Sequence, residues 1–268
     1  MRRIDLHTHS SFSDGTSTPA EVVRLAKGRG VEILALTDHD SVAGVQEAAE
    51  EAGKIGLRFF CGVEINTREE DNLHILGYGV DTASKVLQDA LADFRARRRR
   101  RIAMMVEKLR GLKVDITLED VQGAHREAVG RPHIADALRR KKVVSNRSEA
   151  FQRFLAKDMP AYVPPLGPTA QEAIELIRAA GGWASLAHPY AADVSEVERY
   201  AGWGLEGLEV YYPTHTNTVL ERLLDWAWRF GLTVTGGSDY HGPRTGREEI
   251  GSVTVPQEVF EKVLRRLS

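Results

Sequence analysis

Apolar runs of strand length alternate with amphipathic stretches of helix length through much of this chain, and that alternation most restricts its fold. Arg3–His7 reads as a strand, followed by a polar loop over Thr8–Ser17. Thr18-Pro19-Ala20-Glu21 is a helix start: threonine caps, proline suits the first helical position, and glutamate three residues on completes a capping box. Val22, Val23, Leu25 and Ala26 supply its apolar face as far as Gly28-Arg29-Gly30. Val31–Leu36 is a run of the buried-strand kind, Ser41–Ala52 a second helix, and Leu57–Val63 and Leu73–Val80 further strands. Strand and helix in repetition imply a parallel sheet, open or closed into a barrel.

From about Ala83 to Pro165 the pattern changes to helical periodicity rich in basic residues, with Pro160, Pro164, Pro165 and Pro168 marking the exit. Alternation then resumes: a helix at Thr169–Ala180, strands at Trp183–Ala187 and Leu205–Tyr211, a helix at Asn217–Phe230 and a strand at Leu232–Gly236. A short strand, Gly251–Val255, and a helix, Gln257–Leu267, follow. The expected architecture is a parallel β/α barrel somewhat short of eight regular units, built from residues 1–85 and 166–268, with residues 86–165 inserted as a helical cap.

Composition narrows the setting. Hydrophobic residues make up 42% and charged residues 28% of the 268, as in ordinary globular proteins. Cys61 has no second cysteine to pair with and reads as a small buried residue. No apolar run is long enough to span a bilayer and the opening residues lack a signal-peptide pattern, so the cytoplasm is the expected location, with no membrane and no obligate protein partner. The net charge of −2 leaves any nucleic-acid contact to a local basic patch. Arg95–Arg101 is one candidate: it leads into Ile102, Met105, Val106 and Leu109, so it is either the solvated face of an amphipathic helix or a phosphate-binding surface.

The histidines carry the chemistry. His7 and His9 end the first strand, and residues two apart on a strand project to the same side, so both imidazoles can reach one metal. Asp14 follows in the loop. The second strand ends in Thr37-Asp38-His39-Asp40, the third in Gly62-Val63-Glu64, and the fourth opens with His74. Ala187-His188-Pro189 and Ser238-Asp239-Tyr240-His241 each follow an apolar strand. In β/α barrels the active site is built at that rim. Imidazoles mixed with carboxylates suit manganese, zinc, iron or magnesium better than a thiolate-preferring metal.

As an ordered set, Asp5-Leu6-His7-Thr8-His9-Ser10, Thr37-Asp38-His39-Asp40, Glu64, His74, Ala187-His188-Pro189 and Ser238-Asp239-Tyr240-His241 resemble the motifs of the PHP (polymerase and histidinol phosphatase) superfamily across nearly the whole chain. The resemblance implies a distorted (β/α)7 TIM-like barrel and two or three divalent metal ions, manganese foremost. It implies one metal on His7, His9, Glu64 and Asp239, a second on Glu64, His74 and His188, and a third on Asp14, His39 and His241. Asp14 stands where some members place histidine. Asp38 and Asp40 are expected to orient ligands. Asp14, His39, Glu64, His188 and Asp239 are the expected catalytic residues, serving attack of metal-bound hydroxide on a phosphate ester.

Within the superfamily the chain looks like the TrpH subgroup, which includes nucleoside 3′,5′-bisphosphate phosphatases and 5′-to-3′ exoribonucleases. Gly130-Arg131-Pro132-His133-Ile134-Ala135 and Glu209-Val210-Tyr211-Tyr212-Pro213-Thr214-His215 carry that likeness. It implies that Arg131, His133 and His215 grip a substrate phosphate, and that the substrate is a small nucleotide or a short RNA 5′ end. Arg131 pairing with a carboxylate and His133 capping a helix are the alternatives. Tyr211 and Tyr212 either stack a base or pack under their loop, and His125 reads as an exposed helix residue. Histidinol-phosphate phosphatase and a non-catalytic nucleic-acid or polymerase-binding module are the competing functions.

Overall fold

A computed structural model describes residues 1–122, 128–190 and 192–266; His125 lies outside them. The chain opens with β1 (Arg2–Asp5), α1 (Pro19–Gly28), β2 (Ile33–Leu36), α2 (Val45–Ile55), β3 (Arg58–Asn66) and β4 (His74–Tyr78). The helical stretch holds α3 (Lys85–Gly111), α4 (Leu118–Gln122), α5 (Arg131–Arg140) and α6 (Arg147–Ala150), the last running into a π-helical turn at Phe151–Leu155. Then come α7 (Ala170–Ala179), β5 (Trp183–Leu186), α8 (Val194–Gly202), β6 (Gly207–Tyr211), α9 (Asn217–Arg229), β7 (Thr233–Gly236), β8 (Thr254–Val255) and α10 (Gln257–Arg266).

Local chemistry sets several of these limits. Thr18 accepts the Glu21 N–H at 3.2 Å while Glu21 accepts the Thr18 N–H at 2.8 Å, the capping box expected for α1. Thr169 with Glu172 starts α7 and Asp193 with Glu196 starts α8 in the same way. The sequence reading passed over α8, a helix of only nine residues. The second helix begins at Val45, not Ser41, because the chain after β2 stays paired to β3: the Asp40 N–H donates to the Glu64 carbonyl and the Glu64 N–H to the Asp38 carbonyl.

The strands form one sheet in the order β7-β6-β5-β4-β3-β2-β1-β8. It is not wholly parallel, as the strand–helix alternation had implied. β4 runs antiparallel to both β3 and β5, and β8 antiparallel to β1. The reason is length: residues 67–73 between β3 and β4 are too few for a parallel crossover, which needs a dozen or more. The start of β4 therefore lies on the same rim as the ends of its neighbours.

Past β7 the chain turns alongside the continuation of β1. The Leu6 N–H donates to the Gly236 carbonyl at 3.0 Å, Asp239 to His7 at 2.9 Å and His9 to Tyr240 at 2.8 Å. These bonds nearly close the sheet into a distorted barrel, with β8 outside the ring. Gly237 makes the approach feasible, since a Cβ there would sit 2.4 Å from the His7 Cβ and 2.5 Å from its nitrogen.

Ile4, Leu6, Ile33, Leu76, Tyr78 and Val255 pack with Phe260 of α10. Val63, Ile75, Ile174, Ile177, Leu208 and Leu223 pack the helices of the other flank. The helical stretch has a separate cluster around Met105, Leu109, Ile134, Leu138 and Leu155. α3 ties the two together: Leu87, Leu91 and Phe94 belong to the barrel side, Ile102, Met105 and Leu109 to the other. Among the described residues no helix is long and apolar enough to cross a membrane.

Candidate metal centre

His7, His9, Asp14, His39, Glu64, His74, His188, Asp239 and His241 all come together at one rim of the barrel. His7 and His9 extend from β1 and their rings lie 5.2 Å apart. His74, on antiparallel β4, faces Asn66 across the register, so its Nδ1 meets the Glu64 Oε1 at 2.7 Å. His188 and Asp239 sit in sharp turns just past β5 and β7, with φ of 29° and 53°. Non-glycine residues seldom hold positive φ, and such turns cluster at functional sites.

Four side-chain atoms test whether a metal fits. His7 Nε2, His9 Nε2, Glu64 Oε2 and Asp239 Oδ1 are all buried without a hydrogen-bond partner. Each imidazole nitrogen lies 3.2–3.5 Å from both carboxylate oxygens. Ligands bonded at about 2.1 Å in a tetrahedral shell stand about 3.4 Å from one another. A buried polar atom left unpaired costs about 1–3 kcal/mol, and a divalent ion among these four would satisfy all of them. Two imidazoles and two carboxylates suit manganese, zinc or iron.

The remaining residues overlap more than the three expected ligand sets. The Glu64 Oε1 faces both His74 Nδ1 and, at 3.4 Å, His188 Nε2. Yet His188 also converges with His7 and Asp239, and His39 with Glu64 and His74. Asp14 lies 3.2 Å from His241 Nε2, 3.6 Å from His39 Nε2 and 3.8 Å from His9 Nδ1. Asp38 accepts from the Ser10 N–H and hydroxyl and from the Ser13 hydroxyl at 2.6–2.8 Å, and thereby shapes the loop behind His9. Asp40 accepts from the Asn66 N–H and pairs with Arg98.

Electrostatics divide the imidazoles. Burial works against charge on His7, but Glu209, Asp239 and Glu64 outweigh it and carry its pKa well above the usual imidazole value. His9 behaves alike, reaching about 9. Burial dominates at His39, lowering it to about 3, and also lowers His74. Asp14, Glu64 and Asp239 are held well below the ordinary carboxylate range: burial opposes this, and the surrounding histidines, with Arg247 at Asp239, overcome it. The carboxylates are thus anionic at neutral pH, as metal ligands must be.

The sequence reading named Glu209 and Tyr212 without a role at the metal centre and did not name Arg247. Glu209 on β6 is fully buried; it accepts from His7 Nδ1–H and takes the His188 backbone N–H at 2.7 Å. Asp239 offers its second oxygen to the Tyr212 hydroxyl at 2.8 Å and to the Arg247 guanidinium. Tyr212 therefore neither only packs nor simply awaits a base.

A cavity of about 380 Å³ opens beside Asp14, His39, His74 and His241, and five arginines line it: Arg98, Arg101, Arg131, Arg147 and Arg247. Asp71 pairs with Arg131 at 2.9 Å and with Arg101, and the Arg131 guanidinium lies over the Phe151 ring at 5.4 Å. Arg131 thus both faces the cavity and pairs with a carboxylate. The Arg95–Arg101 run splits by helical phase. Arg98 falls four residues after Phe94 and four before Ile102, on the inward stripe, whereas Arg97, Arg99 and Arg100 are exposed. That spacing was legible in the sequence.

His133 and His215 lie elsewhere. His133 is buried at the start of α5, where its Nδ1 accepts the Gly130 N–H at 2.8 Å, so it caps the helix and does not line the cavity. His215 donates from Nδ1 to the Val210 carbonyl at 2.9 Å and packs near Tyr212, away from the arginine-lined wall.

Residues 5–157 match the model of the PHP domain. The chain belongs to the PHP domain family. It is 34% identical to the 3′,5′-nucleoside bisphosphate phosphatase of Chromobacterium violaceum over 279 aligned positions, 100% of this chain and 97% of that one. It is 33% identical to the 5′-3′ exoribonuclease of Haemophilus influenzae, over 90% of this chain and 91% of the relative. Among solved structures, a candidate metal-dependent phosphoesterase from Bifidobacterium adolescentis superposes with a TM-score of 0.90 at 35% identity, covering 100% of this chain and 97% of that one. An amidohydrolase from Chromobacterium violaceum, with bound sulfate and no metal, gives 0.88 at 30% identity, over 98% and 96%. This PHP protein is a metal-dependent phosphoesterase.

Proposed function

We propose that this PHP enzyme removes phosphate from nucleoside 3′,5′-bisphosphates and trims short RNA from the 5′ end, with manganese as its metal. The observation that carries the reading is adjacency: five arginines line a cavity that Asp14, His39, His74 and His241 of the cluster also line. A nucleotide with two phosphates needs one group at the cluster and cations for the other, and a planar guanidinium suits two phosphate oxygens at once. The names of the relatives from Chromobacterium violaceum and Haemophilus influenzae support the same substrate class.

In this reading His7, His9, Glu64 and Asp239 hold the first metal, with Glu64, His74, His188 and Asp14, His39, His241 completing the cluster. Bound there, divalent metals supply the Lewis acidity that activates water and neutralises phosphoryl oxygens. Glu209 fixes the His7 ring, and Tyr212 with Arg247 fixes Asp239. Arg131, held by Asp71, receives the second phosphate, and residues 86–165 act as the cap that shields it.

Phosphate release from adenosine 3′,5′-bisphosphate by metal-stripped protein, with and without Mn²⁺, tests the proposal. Mn²⁺-dependent release much faster than from histidinol phosphate is expected. Absence of release with every divalent metal tried would overturn the substrate assignment.

A further inference from the structure

A second groove, of about 530 Å³, runs between the barrel and the helical stretch. Arg24 and Arg244 line it from the barrel, Arg139 and Arg147 from α5 and α6. Arg147 and Thr245 also line the arginine cavity, so the groove and the cavity adjoin at these two residues. On the cavity's other side Asp71 binds Arg101 and Arg131 together.

The charge of the groove departs from that of the molecule. Four arginines and two acidic residues, Glu21 and Asp136, line the groove in a chain whose net charge is −2; of the arginines, Arg24 pairs with Glu51 at 2.7 Å. Both acids are already engaged. Asp136 meets Arg147 with both oxygens, at 3.0 and 2.6 Å, and Glu21 accepts the Thr18 N–H at 2.8 Å. Among the described residues no carboxylate pairs with the Arg244 guanidinium, and Arg139 has only Asp136 at 3.6 Å.

We propose that this groove is a strand-binding subsite, in which Arg139 and Arg244 take backbone phosphates of single-stranded RNA downstream of the nucleotide held at the metal cluster. The inference rests on the proposed function and refines it: a bisphosphate needs only the cavity, whereas a polynucleotide extends beyond it, and this groove is an adjoining, positively charged hollow. Affinity from such contacts is independent of sequence and sensitive to salt.

The test compares wild type with the Arg139→Gln, Arg244→Gln double variant in two assays. In the first, fluorescently labelled 5′-phosphorylated RNAs of two and four nucleotides bind metal-stripped protein in chelator, followed by anisotropy across a salt series. The four-nucleotide RNA should bind wild type more tightly than the dinucleotide. The double variant should lose on the order of fivefold per arginine on the longer strand, with the salt slope shallower by about 0.7 per arginine. In the second, Mn²⁺-supported kcat/KM should fall on the four-nucleotide RNA and stay unchanged on adenosine 3′,5′-bisphosphate.

Equal binding of both lengths by wild type, or equal binding of the longer RNA by wild type and variant, overturns the subsite. Continued release from the bisphosphate would then leave the proposed function standing. Length-dependent binding lost in the variant supports the subsite even if the bisphosphate proves inert, in which case the bisphosphatase reading alone fails.

Discussion

The Nδ1 of His7 meets the two carboxylate oxygens of Glu209 at 3.1 and 3.2 Å, and both side chains are fully buried. That contact orients the His7 ring: with Nδ1–H given to Glu209, Nε2 faces Glu64 and Asp239, and its proton must leave for a metal to bind there. Replacing Glu209 by glutamine keeps the shape and removes the charge. Metal affinity should fall about 10–100-fold, measured by titrating Mn²⁺ or Zn²⁺ into stripped protein. Unchanged affinity would show that Glu209 does not tune the site.

The four unpaired atoms at His7, His9, Glu64 and Asp239 predict that metal stabilises the fold. A metal at a hundred times its Kd adds about 2.7 kcal/mol of stability, visible as a rise in Tm. The His7→Ala, His9→Ala double variant should show no such rise and should lose metal and activity together. Full metal content in that variant would remove both residues from the ligand set.

Arg131 is expected to act on substrate and not on metal. Hydrogen bonds to a charged group are worth about 1.5–3 kcal/mol, so Arg131→Ala should raise KM at least about 10-fold with metal content intact. Kinetics indistinguishable from wild type would leave Arg131 as a partner of Asp71 only.

The Asp136–Arg147 pair ties α5 to α6, and it carries a pH signature. Burial opposes ionisation of Asp136, but Arg147 prevails and its pKa lies below the ordinary aspartate value. A depressed carboxyl stabilises the fold above its unfolded pKa of about 3.9 and loses that contribution as pH falls through the folded value. Stability from this pair should hold from neutral pH to about 4 and decline below it. Asp136→Asn should cost about 1–3 kcal/mol at pH 7 and flatten the acid limb of a Tm-against-pH curve. An unaltered acid limb would contradict the assignment.

Gly237 permits the contact that closes the barrel. A methyl group there must displace the His7 backbone, and overpacking of that kind costs about 1–3 kcal/mol. Gly237→Ala should lower Tm and weaken metal binding together, because His7 and Asp239 move apart when the contact opens. Retention of wild-type metal affinity would show that another contact fixes their separation.

Much of this molecule was readable from neighbouring residues. Capping boxes at Thr18 and Thr169 mark their helices because the partners lie three residues apart. The histidines and acids at strand ends announce a metal cluster because hydrophobic periodicity locates the strands, and strand ends share a rim. What sequence alone could not supply depends on distance along the chain. Glu209 opens the segment that resembles the TrpH subgroup, with no role attached to it there, and only closure of the barrel brings it to His7, 202 residues earlier. His74 reaches Glu64 because β4 reverses direction, a consequence of the short 67–73 connection and not of any residue type. His133 looked like a phosphate ligand beside Arg131, yet helix geometry turns its ring back to the Gly130 N–H while Arg131 faces the cavity. The sequence by itself determined which residue types stand at which strand end, since short-range periodicity and capping act over a few residues. The tertiary structure alone decided which of them share a metal, a proton or a charge, since those pairings depend on strand direction and ring closure.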